Sequence, residues 1–152
     1  MRVSKLMSRD VVTIGESDSC YEAVKRMQRI KARHLPVLAG DGTLQGIVTD
    51  RDLRHHLFAL HVSGEIGQTS VQALLMKTPV KQIMSAPVVC VSPASEVGEA
   101  AGLMREHKIG SAPVVEAGQL VGILTETDLL RHIVQEDERV SPEMQEIIVS
   151  HP

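Results

Sequence analysis

The chain repeats itself, and this limits its possible folds more than any other feature. Displaced by 77 positions, residues 3–38 fall on residues 80–115 with 11 identities in 36, among them Met7/Met84, Ser8/Ser85, Glu22/Glu99, Ala23/Ala100, Met27/Met104, Pro36/Pro113 and Val37/Val114. After a one-residue deletion within Ala39-Gly40-Asp41-Gly42, residues 42–54 fall on 118–130 with 7 identities in 13, including Gly46/Gly122, Ile47/Ile123, Thr49/Thr125 and Asp52/Asp128. A Gly/Asp turn is where a change of length costs least. A unit of roughly 50 residues cannot bury both faces of a sheet alone, so the two copies are expected to pack on each other.

Each copy reads in the same order. Val11-Val12-Thr13-Ile14 and Val88-Val89-Cys90-Val91 are short β-branched runs, which predict buried strands. Ser17-Asp18-Ser19 and Ser92-Pro93-Ala94-Ser95 supply helix-start chemistry. The helix after the first carries Cys20, Ala23, Val24, Met27 and Ile30 on one face, with Glu22, Lys25, Arg26 and Arg29 turned away; Val97, Ala100, Ala101 and Met104 repeat the apolar stripe. Strands are predicted at 34–38 and 44–49, with counterparts at 111–115 and 120–125, joined by Gly-containing connections that suit hairpins. Further helices start at Asp50 and Glu126. The order is β-α-β-β-α, twice, in an α/β (α+β) fold. The expected division is a first repeat over 1–61, a linker with a short helix over 62–79 (containing Gly64, Gly67, Thr69 and Ser70), a second repeat over 80–134 and a tail over 135–152. Ile147-Ile148-Val149 in that tail are a candidate docking patch.

Composition excludes several classes of function. The net charge is −3 and no long basic run occurs, which disfavours a nucleic-acid backbone binder. With no Trp, one Tyr and one Phe, the stacking platforms of single-strand binders are missing. No apolar stretch is long enough for a leader or a membrane span, so no membrane partner and a cytoplasmic location are expected. Cys20 and Cys90 form no CxxC and read as small buried hydrophobes, with no disulfide. His55, His56 and His61 lack the spacing and company of a zinc site, so no metal is expected. No nucleophile–base pair recurs, and no G-x-S-x-G, P-loop or G-x-G-x-x-G is present, so the chain is not expected to be an enzyme.

The ordered marks Val3-x-x-Leu6-Met7 and Val80-x-x-Ile83-Met84, Leu35-Pro36-Val37 and Ala112-Pro113-Val114, then Gly46-Ile47-Val48-Thr49-Asp50-Arg51-Asp52-Leu53 and Gly122-Ile123-Leu124-Thr125-Glu126-Thr127-Asp128-Leu129 resemble a tandem pair of cystathionine-β-synthase (CBS) domains, or Bateman module. The closing motifs and the Leu74-Leu75-Met76 segment are similar, more narrowly, to the CBS half of acetoin-utilisation B-type proteins. The resemblance implies two repeats packed pseudo-symmetrically sheet to sheet and a disc-shaped homodimer, for which Leu53, Leu57, Phe58 and Leu60 offer an apolar helix surface. It also implies a regulatory role on a protein partner, and an adenine nucleotide (AMP, ADP or ATP) in clefts between the repeats.

The site residues carried over are Thr13, Ile14, Arg33, His34, Leu35, Pro36, Thr49, Arg51 and Asp52 in one copy, and Cys90, Val91, Ser111, Ala112, Pro113, Thr125 and Asp128 in the other. The aspartates would hold ribose hydroxyls, and main-chain groups of the first strand and of the strand before Pro-Val would read adenine. The chemistry is sound, because a carboxylate accepts both hydrogens of a cis-diol in charge-assisted bonds. A free helix N-terminus after Thr49 would also suit a phosphate. Read from spacing alone, Thr49-x-x-Asp52 and Thr125-x-x-Asp128 are equally capping boxes. The copies differ where Arg33-His34 and Arg51 face Gly110-Ser111 and Thr127, so the Asp52 cleft is expected to favour multiply charged phosphates. The alternatives are a ligand-free dimerisation or scaffold module, and a sensor of S-adenosylmethionine, NADH or a cyclic dinucleotide.

Overall fold

The computed structural model describes residues 1–67, 70–137 and 139–149; Thr69 of the linker and residues 150–152 of the tail lie outside the described residues, with Gln68 and Glu138. The chain forms two compact units: a contiguous one, Val12–Val88, and a split one, Met1–Val11 with Val89–Pro152. The short helix α1 (Val3–Leu6) therefore packs with the second repeat's residues.

In the contiguous unit, β1 (Ile14–Gly15) leads to α2 (Cys20–Ile30). Ser19 caps α2, its hydroxyl accepting from the Glu22 N–H at 3.1 Å, and Lys31 ends it in the left-handed conformation. The hairpin β2 (His34–Leu38) and β3 (Leu44–Thr49) follows, then α3 (Asp50–Ser63) and α4 (Val71–Lys77). The sheet order is β1-β2-β3, with β1 parallel and β3 antiparallel to β2. Ile14, Cys20, Ala23, Met27, Leu35, Val37, Val48, Leu53, Leu75 and Val80 form the core. Helix α4 contributes Leu75 to it.

In the split unit, α5 (Val97–His107), the hairpin β4 (Ser111–Glu116) and β5 (Gln119–Thr125), α6 (Glu126–Glu136) and α7 (Pro142–Val149) repeat and extend the pattern. Its core is Val3, Met7, Val91, Ala100, Met104, Ala112, Val114 and Leu124. Ala117-Gly118 closes β4 to β5 with both residues at positive φ, the tight two-residue turn that matches strand twist.

Several sequence expectations change. The first strands are shorter than their β-branched runs: β1 starts only at Ile14, and in 88–91 only Val91 bridges, to Val114. Proline is the reason. Val91 donates to Pro113 O at 3.0 Å and accepts from Val115 N–H at 2.9 Å, and the next rung back needs an N–H from Pro113, which has none. Pro36 stops β1 in the same way. Ser92 and Ser95 do not cap α5; they tie a turn through Ser92 N–H to Ser95 Oγ (3.1 Å) and Ala94 N–H to Ser92 Oγ (3.1 Å), and the position before α5 is Glu96. Cys20 is buried, and burial pushes its thiol up to about 11, but Cys90 is exposed. Leu53 is a core residue and Leu57 packs against the core, while Phe58 stays 69% exposed. Arg26 is half-buried rather than turned away.

The segments before each repeat's first strand are held by close backbone contact. Ser85 N–H donates to Ile47 O (2.8 Å) and Ile47 N–H to Ser85 O (3.1 Å); Ser8 and Ile123 form the matching pair at 2.9 and 3.0 Å. A Cβ on Gly46 would lie 2.8 Å from Ser85 O and Met84 Sδ, and one on Gly122 2.9 Å from Ser8 O and 2.8 Å from Met7 Sδ. The glycine of each closing motif is thus a space requirement rather than a φ requirement. Gly46→Ala and Gly122→Ala should each cost about 1–3 kcal/mol of overpacking. Thermal melts should show Tm falling by about 2–4 °C per kcal/mol at this size; unchanged melting of both would contradict the close approach.

Candidate functional site

The strand ends that carry the expected ligand groups meet the closing motif within each unit. His34 pairs with Thr49 and Ser111 with Thr125 across the two hairpins. Arg33 O accepts from Asp50 N–H at 3.1 Å, and Gly110 O from Glu126 N–H at 3.0 Å, so the start of β2 or β4 sits on the first turn of the following helix. Ile14 pairs with Val37, three residues or roughly 10 Å along β2 from His34.

Both Thr-x-x-Asp motifs close as reciprocal capping boxes. Thr49 Oγ1 accepts from Asp52 N–H at 3.1 Å and Asp52 Oδ2 accepts from Thr49 N–H at 2.9 Å; the distances for Thr125 and Asp128 are 3.2 and 2.9 Å. Each box uses one carboxylate oxygen. The other, Oδ1, faces Ser85 Oγ at 3.3 Å in the contiguous unit and Arg131 Nη1 at 3.5 Å in the split unit. Capping therefore leaves one oxygen of each carboxylate outside the box, and the capping and ligand readings of the motif are compatible.

The helix N-terminus offers less to a phosphate than expected at α3. Its first three amides are already taken, by Arg33 O, by Asp50 Oδ1 (2.9 Å from Arg51 N) and by Thr49 Oγ1. Two carboxylates, Asp50 and Asp52, occupy the same turn. Anion attraction there falls to the side chains. Arg33 and Arg51 are exposed and make no ion pair among the described residues, whereas Arg54 is paired with Asp50 at 2.9 Å.

Leu35, Pro36, Ala112 and Pro113 are wholly buried, so their side chains are closed to a ligand; Ile14, at 1%, and Ser111, at 4%, are nearly as enclosed. Thr13, His34, Thr49, Asp52, Thr125 and Asp128 are partly exposed. Two contacts that sequence reasoning missed touch this set. Arg26 donates to Thr13 O at 2.6 Å and to Glu22 at 3.1 Å, holding the Glu22 carboxyl below the ordinary range; Leu103 stands at the equivalent place in the second repeat. Ser85 is the other. Its identity with Ser8 is visible in the repeat, but nothing in the spacing shows that it reaches Asp52.

Residues 3–59 and 80–135 match the CBS domain family. The chain belongs to the CBS-domain family. It is 34% identical over 142 residues to the CBS domain-containing protein DDB_G0289609 of Dictyostelium discoideum, covering 93% of this chain and 97% of that one. It is 33% identical to a 33.4 kDa protein of a ribosomal RNA operon in Thermofilum pendens and 32% identical to protein MJ1404 of Methanocaldococcus jannaschii, spanning only 44% and 32% of their lengths. Among solved structures it is similar to AcuB of Vibrio cholerae, described as an acetoin utilization protein (TM-score 0.71, 30% identity, 90% of this chain and 92% of that one). It is also similar to CBSX2 in complex with AMP (TM-score 0.71, 28% identity, 89% and 97%). A third is the CBS pair of MJ0100 with 5′-methylthioadenosine and S-adenosyl-L-methionine (TM-score 0.74, 25% identity, 88% and 99%).

As CBS closing motifs, the two boxes hold their helices without any ligand. Thr49→Ala should cost about 1 kcal/mol by leaving the Asp52 amide without its acceptor, and Thr49→Ser should restore most of it. Urea unfolding in ligand-free buffer checks this; equal stability of Thr49→Ala and wild type would remove the cap.

Proposed function

We propose that this CBS pair is a regulatory module that binds an adenine nucleotide in each unit and performs no catalysis. The observation that carries the reading is the recurrence of Thr-x-x-Asp at a strand–helix junction in both units, each time with one carboxylate oxygen outside the cap. Asp52 and Asp128 take the ribose hydroxyls. Main-chain groups of Thr13, Ile14, His34 and Leu35, and of Cys90, Val91, Ser111 and Ala112, edge the base. Similar proteins that hold AMP, methylthioadenosine or S-adenosylmethionine support an adenosine ligand. Arg33 and Arg51, which make no ion pair among the described residues, favour AMP, ADP or ATP in the contiguous unit, with an affinity that weakens as salt rises.

The regulated partner is a protein, reached in the cytoplasm by a homodimer of this chain. Among the described residues no helix is long and apolar enough to cross a membrane. The dimer proposal now rests on Phe58 and Val62, one helical turn apart on α3 and each 69% exposed. Light scattering at micromolar concentration should give twice 16.6 kDa; a monomer over the whole concentration range rejects it.

Saturating the folded chain at 100 times Kd should add about 2.7 kcal/mol, which raises Tm by about 5–10 °C. Asp52→Asn and Asp128→Asn should each weaken one of two binding events by about 10- to 150-fold in calorimetry, the loss of a charge-assisted bond, with little change in ligand-free stability. No shift with any adenylate, S-adenosylmethionine or cyclic dinucleotide would favour the scaffold reading. Normal binding with early melting would leave the motifs as caps only.

A further inference from the structure

Asp52 and Asp128 hold equivalent places, but their outer oxygens answer to different parts of the chain. Asp128 Oδ1 meets Arg131, three residues along its own helix. Asp52 Oδ1 meets Ser85 Oγ, 33 residues away, on the segment that leaves the contiguous unit at Val88–Val89. That segment is fixed close by, through the paired backbone hydrogen bonds of Ser85 and Ile47. Ser8 makes the same backbone pair with Ile123, yet among the described residues its hydroxyl has no partner. His55 stands at the position equivalent to Arg131 and makes no ion pair with Asp52 among the described residues. Among the described residues the outer oxygen of Asp52 thus meets a neutral hydroxyl and no cation, in a contact at the long end of the hydrogen-bond range.

We propose that Ser85 is a latch on Asp52: a ligand with a cis-diol takes Oδ1, displaces the Ser85 hydroxyl, and so reports occupancy of the contiguous unit to residues 80–88. O–H bonds to a carboxylate are charge-assisted on both sides of the balance, so the exchange favours the ligand because a diol offers two donors where Ser85 offers one. The Ser85–Ile47 backbone pair keeps the segment in place through the exchange but opens more often once the side-chain contact is gone. The split unit has no such latch, because its carboxylate partner lies on the same helix as the carboxylate. The inference rests on the ribose role given to Asp52 above, and the ligand class it names is any nucleoside with free 2′ and 3′ hydroxyls.

The test uses the full chain, with adenosine and 2′,3′-dideoxyadenosine as probes. Ser85→Ala should bind adenosine about 3- to 10-fold more tightly at one of the two sites, as expected for removal of one competing donor. Dideoxyadenosine should be unaffected, and Ser8→Ala should change neither. Weaker or unchanged adenosine binding by Ser85→Ala overturns the latch. Should wild type bind no adenosine at all, the nucleotide reading fails, and the latch is then judged without ligand. Hydrogen exchange at the Ser85 and Ile47 amides should run severalfold faster in Ser85→Ala, and identical exchange there overturns the latch on its own.

Discussion

In each unit a lead-in segment lies against the closing strand through two backbone hydrogen bonds, Ser85 with Ile47 and Ser8 with Ile123. The approach leaves no room for a Cβ at Gly46 or Gly122. Much of the architecture depends on this contact. It anchors Val80 and Val3, both wholly buried, in their cores, where a valine contributes about 1.5–3 kcal/mol. It also sets where Met84 and Met7 enter, and brings a serine hydroxyl to the rim of the first motif. Because the segment that opens each repeat serves the core of the other repeat, the sequence repeat and the packed unit are offset from each other.

The closing motif then serves two purposes without conflict. One oxygen of each aspartate ties the helix start to the preceding threonine, and the other stays at the surface. Under the proposed function, a residue that is needed for the fold and keeps a second acceptor outside its cap would tie ligand chemistry to a strand–helix junction rather than to a loop. The carboxylate is preorganised by its own cap, so such a ligand would order little on arrival. The two units differ in what keeps the free oxygen company: a hydroxyl beside Asp52, a guanidinium beside Asp128.

The β-α-β-β-α order of the first repeat, the α-β-β-α order of the second, the helix starts at Asp50 and Glu126 and the apolar stripes of α2 and α5 are legible in the sequence, because periodicity and capping are local properties. The strand lengths are not. A run such as Val88-Val89-Cys90-Val91 carries strand propensity, but the ladder ends where its partner offers a proline, and that depends on a residue more than twenty positions away. The serines at 92 and 95 read as helix-start chemistry and instead bond each other, since side-chain–backbone turns compete with capping for the same groups. Within the candidate site, the motif residues could be named from spacing alone. Ser85 and Arg26 could not, because their roles come from which backbone or carboxylate lies opposite, and only the folded register decides that.

The split unit has a consequence for the order in which the protein is made. Residues 12–88 form a continuous stretch, so their core can close as soon as that stretch has been synthesised. The first eleven residues emerge earlier than any of this and belong to the other unit. Val3 and Met7 must remain exposed until β4 and β5 appear, more than a hundred residues later, and then join a core whose other members were made last. The wait makes residues 1–11 the last piece of the second core to be secured, although they are made before every other member of that core.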